Sequence, residues 1–467
     1  MPASENGPVP GRAARPSAVR RAEVALLAIF AVLAASAAMA QTTPGQPFAR
    51  EIEFEKEKVD TQILSLSLGG IQSDNVSRVP TNEESGSVAI SSLNLKYREN
   101  TRRIHADVDA DIGYEHFLDE TFDDGVIGQA DGVVTVDLLP ERVEWFLEDH
   151  FRQARVDPFG ADTPENRQNV NRFATGPDVR LHLNDTMAMR FSSRFARVDY
   201  ETAAADGDRV SGSIAVVRQL GTARAASFNV SRESINFDDD ANVGYDRDST
   251  FVRYEARNSR TELTADLGYM RIQDDLGKTA NGALLDVLLL RRVSPDSRLA
   301  LNLGTRFSDS GDIVRLTPGT DRENVDPVVV LSNAQPFEGR FVNLGWEFGR
   351  NRTGLGAFVE YRQQRYTDAP EFDRDLVIYG AHVNRSLSPR IEVYARVHNS
   401  REEFDNGGGY NKELLGNLGV LLRLGISSHI ALDGQHMDRK STNLLSEFTE
   451  NRLSLFFVWT PVSRGRQ

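Results

Sequence analysis

His105, Asp107, Asp109 and Asp111 occupy alternate positions of RIHADVDADIGYE, the stretch from Arg103 to Glu115. Three carboxylates and an imidazole in one line are the groups that hold a cation or contact sugar hydroxyls. They form a line only if the backbone is extended, because a period of two puts alternate side chains on one face. The opposite face carries Ile104, Ala106, Val108, Ala110, Ile112 and Tyr114, while Arg103 and Glu115 continue the polar side. A strand with one charged and one apolar face throughout its length separates water from lipid. The plainer reading of the acid strip, favoured here, is a hydrated lumen wall neutralised by arginines of other strands: Arg190 and Arg194, Arg298 and Arg306, Arg362 and Arg396. Facing ladders of opposite charge would impose a transverse field that tunes selectivity.

Other chemistry is weakly signalled. The loop FDDDANVGYDRD (Phe237 to Asp248) is rich in oxygen ligands, yet a calcium loop of the EF-hand kind wants glycine sixth and glutamate twelfth. Counting from Asp238, Val243 and Ser249 stand there; an acidic solvated loop is the simpler reading. The chain has eight histidines, none in an H-E-x-x-H arrangement, and no nucleophile elbow, P-loop or dinucleotide fingerprint in its required context. His150 with Asp149, and His398 with Ser400, are the best hydrolase candidates, but neighbours in a strand point apart. No enzyme, cofactor or metal is expected.

The elements that must position the strip recur along the chain. Val342, Leu344, Trp346 and Phe348 alternate with Asn343, Gly345 and Glu347; Leu355, Ala357, Val359 and Tyr361 with Gly356, Glu360 and Arg362, Phe358 breaking the pattern. Ile391, Val393, Ala395 and Val397 alternate with Glu392, Arg396 and His398, and Leu299, Leu301, Leu303 and Phe307 with Arg298, Asn302 and Arg306. Outside the amino terminus no apolar run is long enough for a membrane helix. In hydrocarbon only helices and closed sheets satisfy every backbone group. The expected fold is therefore an all-β transmembrane antiparallel barrel of about 20 strands, within 18–22 on the count of turns, both termini periplasmic.

At the amino terminus Arg20-Arg21, the apolar Val24 to Ala37 and Ala38-Met39-Ala40 form a secretory signal peptide over residues 1–40. A periplasmic lead-in follows over 41–61, the barrel spans 62–461, and 462–467 is a short basic tail. There is no cysteine, so no disulfide framework or thiol chemistry. Removing a leader with four arginines and two glutamates takes the formal charge from −14 to −16, which disfavours a nucleic-acid partner.

Tight connections such as Pro140-Glu141, Asn184-Asp185 and Asn351-Arg352 alternate with long ones such as Ile71 to Gly86, Val156 to Gln168 and Ser308 to Pro336. Short turns on one side and long loops on the other are the two ends of a bacterial barrel. The pattern over Gly282 to Val293 is muddled. Such a wall has a diameter of about 40 Å, too wide for its own side chains to fill. In the longest loop, Val328 to Leu331 is an apolar run that either constricts the lumen or extends a strand. In the closing strand Leu453, Leu455, Phe457 and Trp459 share a face and form the assembly signal, although Pro461 and the tail follow it.

The stretches RVEWFLEDHFRQARVDPFG (Arg142 to Gly160) and ENRQNVNRFATGPDVRLHL (Glu165 to Leu183) resemble the outer-membrane β-barrel proteins encoded with exopolysaccharide biosynthesis or PEP-CTERM systems. YRQQRYTDAPEFDRD (Tyr361 to Asp375), SLSPRIEVYARV (Ser386 to Val397) and ENRLSLFFVWTP (Glu450 to Pro461) resemble the β-barrel porin 2 family. The resemblance implies a porin-like outer-membrane barrel supporting export of an extracellular polysaccharide through a polar lumen. Its implied partners are outer-membrane lipid and lipopolysaccharide, the barrel assembly machinery and polysaccharide export components. A general diffusion porin is the first alternative, an outer-membrane hydrolase the second. The lumen-facing candidates are Arg103, His105, Asp107, Asp109, Asp111, Arg190, Arg194, Arg298, Arg306, Glu347, Glu360, Arg362, Glu392 and Arg396.

Overall fold

The computed structural model describes residues 61–157, 159–314, 335–405 and 409–461. The signal peptide, most of the lead-in, the basic tail and the Val328 to Leu331 run lie outside them. The strands, in chain order, are β1 Thr61–Ser73, β2 Gly86–Asn100, β3 Ile104–Phe117, β4 Gly125–Leu139, β5 Val143–Arg155, β6 Arg167–Asn184, β7 Met187–Tyr200, β8 Gly207–Gly221, β9 Arg224–Phe237 and β10 Tyr245–Arg257. They continue as β11 Thr261–Asp274, β12 Thr279–Ser294, β13 Ser297–Ser308, β14 Phe337–Arg350, β15 Thr353–Tyr366, β16 Arg374–Ser386, β17 Ile391–Phe404, β18 Gly409–Arg423, β19 Ser428–Ser441 and β20 Phe448–Trp459. A short helix, α1, covers Ser310–Val314 between β13 and β14.

All twenty strands form one sheet. Each pairs antiparallel with its sequence neighbours, and β1 pairs with β20, with Leu66 opposite Trp459 and Leu68 opposite Phe457. The sheet is thus a closed barrel with no free edge, and every strand's backbone groups find partners inside it. Register is fixed by the apolar stripe, because a slip of one residue would turn every side chain to the other face. Leu66 stands opposite Leu93, Leu93 opposite Ile112, Leu344 opposite Val359, and Leu432 opposite Leu455. All of these except the half-buried Ile112 stay exposed in the protein alone, as do Leu68 at 65% and Leu418 at 68%. So much outward aliphatic surface is tolerated only against lipid. The protein is an outer-membrane β-barrel.

The two rims differ. β1 begins and β20 ends on the rim of short turns, the periplasmic end of such barrels. Glu141 and Asn351 turn there with positive φ of 62° and 58°, which Asn adopts readily. All three tryptophans, Trp145, Trp346 and Trp459, lie on the outer face near this rim and are partly exposed. Two have their indole N–H satisfied by a neighbouring hydroxyl, Trp145 by Thr175 and Trp346 by Ser297, each at 3.0 Å. An amphipathic ring with its polar edge satisfied suits the interfacial belt.

Three local expectations change. Arg103 lies in the turn before β3 rather than on the strand. Phe307, assigned by periodicity to the outward stripe, is buried with Ile235, Tyr245, Ile272 and Leu284, because β13 ends one residue later and the chain then enters α1. The muddled Gly282 to Val293 pattern is one continuous strand, β12. Its alternation is lost because Leu284 and Leu290, on the face opposite the outward Leu285 and Leu289, are also buried. Phe358 has the same cause: its ring packs on the buried Leu376 and Ile378.

Candidate functional site

The acid strip lies on the face of β3 opposite its apolar stripe, inside the barrel. Its partners come from the adjacent strand. Asp107 is opposite Arg98, whose Nε donates to it at 3.3 Å; Asp109 is opposite Lys96 at 3.5 Å; Asp111 is opposite Asn94. His105 bonds Asn100. Arginines expected to answer this strip have partners elsewhere on the wall. Arg194 donates to Asp178 at 2.7 Å and lies over the Phe146 ring, Arg306 donates to Asp286 at 3.1 Å, and Arg362 to Glu360. Arg396 stacks on Tyr394, and Glu392 accepts from Arg423 at 2.9 Å. Arg190 is in register with Arg180, and Arg298 with Glu347. Where these wall charges pair, they pair within a strand or with the next one, not across the lumen. The physical reason is screening: at physiological salt the Debye length is about 8 Å, a fraction of the lumen's width.

At the long-loop rim the inner face is buried by chain that turns inward. In the β1–β2 loop Arg78 donates Nε to Glu450 Oε2 of β20 at 2.9 Å and pairs with Asp162 of the β5–β6 loop at 3.4 Å. Glu450 also accepts from Ser73 at 2.6 Å and from Arg452 at 2.5 Å. Asp162 receives Arg167 Nε at 2.6 Å. Burial works to raise the Asp162 carboxyl, but Arg167, Arg78 and Arg155 outweigh it and hold it well below the ordinary carboxylate range. The same loop reaches far around the wall from the strands that launch it. The Phe159 ring lies 4.5 Å from that of Phe404 at the end of β17, and its carbonyl accepts from Arg439 of β19 at 3.3 Å.

The second inward segment is α1 and the residue before it. Arg209 of β8 holds Asp309 with a two-pronged fork, Nη1 to Oδ2 at 2.9 Å and Nη2 to Oδ1 at 2.8 Å. The Tyr245 hydroxyl donates to the same carboxylate, the Tyr200 hydroxyl to Ser310 Oγ at 2.7 Å, and Arg247 reaches both Asp312 and Glu233. Burial again works to raise Asp312, and Arg247 with Arg209 holds it far below the usual range. Gly311 is required by proximity: a Cβ there would stand 2.2 Å from Arg209 Nη2. Val314 packs with Ala154, Val170, Val198, Tyr200 and Ala205, while Ile313 bridges to Phe337, Tyr366 and Ala369.

A buried charge knot lies beside this segment on β4, β5 and β6. His150 places Nδ1 2.5 Å from Asp131 and Nε2 2.6 Å from Glu148; Arg152 binds Asp131 at 2.6 Å and Arg172 approaches Glu148 at 3.5 Å. With both ring nitrogens on carboxylates, His150 is a strut between strands, with no nitrogen left to serve as a base. Asp149 lies on the other face, accepting from Asn171 at 3.3 Å. His398 and Ser400 share the inner face of β17. In the acidic loop, Asp238 is gripped by Arg197, which also binds Asp199 at 2.9 Å and Asp208 at 3.3 Å. No cluster of three metal-ligating side chains occurs among the described residues.

No family model matches the chain, and no curated protein does. Solved structures that align with it include OccK2 (OpdF) of Pseudomonas aeruginosa, at 10% identity over 86% of this chain and 98% of that one, with a TM-score of 0.39. OccAB4 of Acinetobacter baumannii aligns at 10% identity over 88% and 100% with a TM-score of 0.36. A point mutant of the ferric enterobactin receptor PfeA of P. aeruginosa aligns at 9% over 87% and 81% with 0.44.

Sequence reasoning singled out the strip and did not name the residues at the long-loop rim. Tyr200, Arg209, Tyr245 and Arg247 each sit within three residues of a strand end at the long-loop rim, on the inward parity. Large inward side chains at loop-proximal positions were the available signal, together with the small acidic run Ser308 to Asp312.

Proposed function

We propose that this porin-like barrel is a selective outer-membrane channel for hydrophilic solutes, closed at its outer mouth by its own inward segments. The observation that carries the reading is the grip of Arg209 and Tyr245 on Asp309, which draws a segment from between β13 and β14 against β8 and β10. A wall about 40 Å across that needed only a permanent pore would have no use for buried ion pairs holding chain across its entrance. The candidates Arg190, Arg298, Glu347, Glu360, Arg362, Glu392 and Arg396, with the strip on β3, line the path below the mouth in this reading.

The second reading is support of polysaccharide export, with export components and lipopolysaccharide as neighbours. The width favours it: once the inward segments withdraw, a wall of this order admits an extended sugar polymer. The hydrolase alternative gains nothing from His150, both of whose nitrogens are engaged.

Planar-bilayer recording of the refolded protein tests the channel. The intact protein is expected to conduct weakly, and the Asp309→Asn/Asp312→Asn variant several-fold more, with heat-modifiable gel mobility showing that both are folded barrels. A folded double variant as silent as the parent would overturn the reading; large steady conductance in the parent would make it an open diffusion porin.

A further inference from the structure

The residues that hold α1 have the composition of a ligand site. Arg209 offers its guanidinium fork, the geometry that recognises a carboxylate in two parallel bonds. Tyr245 adds a hydroxyl to the same carboxylate, Arg247 a second cation, and Tyr200 a donor to the Ser310 hydroxyl next in the chain. Arg209 and Tyr245 are 4% and 2% exposed, so the site is desolvated and each bond is stronger than in water. Asp309 and Ser310 thus present to the wall a carboxylate with a hydroxyl beside it.

We infer that this pocket is a hydroxycarboxylate-binding site which the chain fills with Asp309, Ser310 and Asp312, and that a uronate-type solute competes for it and displaces α1. The inference rests on the channel reading and names the solute that opens it. Charge makes the exchange coupled. With the segment in place, Arg209 and Arg247 face Asp309, Asp312 and the wall carboxylate Glu233. Withdrawal alone would leave two guanidiniums at a sheltered mouth against Glu233, an unfavourable state. An arriving carboxylate restores the balance, so the segment is released by an anion and retained against a neutral sugar. A ligand shifts such an equilibrium only by its preference for one state, and here it binds only the displaced state. Among the described residues the segment is the five of α1, with two apolar anchors, Ile313 and Val314.

The test is single-channel recording on the full refolded protein with galacturonate, oligogalacturonate and galactose as probes. Galacturonate is expected to raise the open probability several-fold in a saturable way, while galactose has no effect. Tyr200→Phe should raise the galacturonate concentration needed without altering the response to acetate, which lacks the hydroxyl. Arg209→Gln should abolish the response while raising the basal conductance. A response to the oligomer alone supports the site and assigns it to an acidic polymer; a response to the monomer assigns it to the free sugar acid. If Asp309→Asn/Asp312→Asn opens the channel but neither uronate affects the parent, the binding site is refuted and the channel stands. If that folded variant is silent too, the channel reading fails with it.

Discussion

The acid strip of β3 and the pocket around α1 are made of the same ion pairs, but they differ in reach and in burial. Asp107 and Asp109 meet Arg98 and Lys96 across one hairpin, with the carboxylates 41% and 24% exposed. Arg209 meets Asp309 one hundred residues away, at 4% and 1% exposure. Pairs of the first kind are worth about 0–1 kcal/mol because water already solvates both partners. Breaking one of the second kind costs about 3–5 kcal/mol, since the survivor is left charged and dry. The difference teaches that the conspicuous charge pattern is wall, and that the inconspicuous one holds the mouth.

The sharpest way to break this contrast is to remove one cation from each region. Arg209→Gln leaves the Asp309 carboxylate with neutral donors, the Tyr245 hydroxyl and the Asp312 amide. Hydrogen exchange over 309–314 should then lose protection equivalent to about 3–5 kcal/mol while the barrel's own melting is unchanged. Arg98→Gln should alter protection of β2 and β3 by less than about 1 kcal/mol. Equal effects in the two variants would erase the distinction.

Why one region was legible follows from distance along the chain. Strand parity is local, so Asp107, Asp109 and Asp111 share a face by spacing alone, and the partner β2 lies across a tight turn. Even so, periodicity picked Arg190 and Arg306 as balancing charges, because parity gives the face and says nothing of which strand is adjacent at which height. The strand count survived for the same reason that it was readable: each crossing repeats one pattern. The mouth was not legible because its contacts join loops to distant strands, Phe159 to Phe404 and Arg78 to Glu450, and no periodicity encodes a loop's destination. Phe307 fell between the two cases, at the residue where strand parity hands over to loop packing.

A smaller perturbation probes whether the pocket is as tightly built as its distances imply. Gly311→Ala adds a methyl group against the Arg209 guanidinium, which is pinned by Asp309 and cannot swing aside without losing its fork. Overpacking of this kind costs about 1–3 kcal/mol. Faster exchange of the 309–314 amides is expected, with conductance rising less than in Asp309→Asn/Asp312→Asn. A variant indistinguishable from the parent in both measurements would mean that the segment is held more loosely than the structure shows.

Acid should loosen the mouth and spare neutral conditions. Asp162 and Asp312 titrate below the ordinary carboxylate range in the folded protein. A depressed group contributes stability that is fully present above its unfolded value, about 4, and is lost as pH falls through the folded value. Limited proteolysis within 156–166 and 309–314 is therefore expected to be flat from about pH 5 to about pH 8 and to accelerate only below about pH 3. A transition near neutrality would point to a group other than these carboxylates.

The smallest effect belongs to the strip itself. Asp107→Asn/Asp109→Asn takes the facing carboxylates from two cations, Arg98 and Lys96, on a solvated wall, so stability should change by less than about 1 kcal/mol. What should change is selectivity, and only in an opened channel. Recorded in the Asp309→Asn/Asp312→Asn background, the reversal potential under a salt gradient should move toward anion preference. The shift should be clear at about 0.01 M salt, where the Debye length of about 30 Å is comparable with the lumen radius. It should vanish near 1 M, where about 3 Å of screening confines each charge to its own stretch of wall. A shift that persists at high salt would mean that permeating ions touch the strip directly, and would restore β3 as a contact site in place of a neutralised wall.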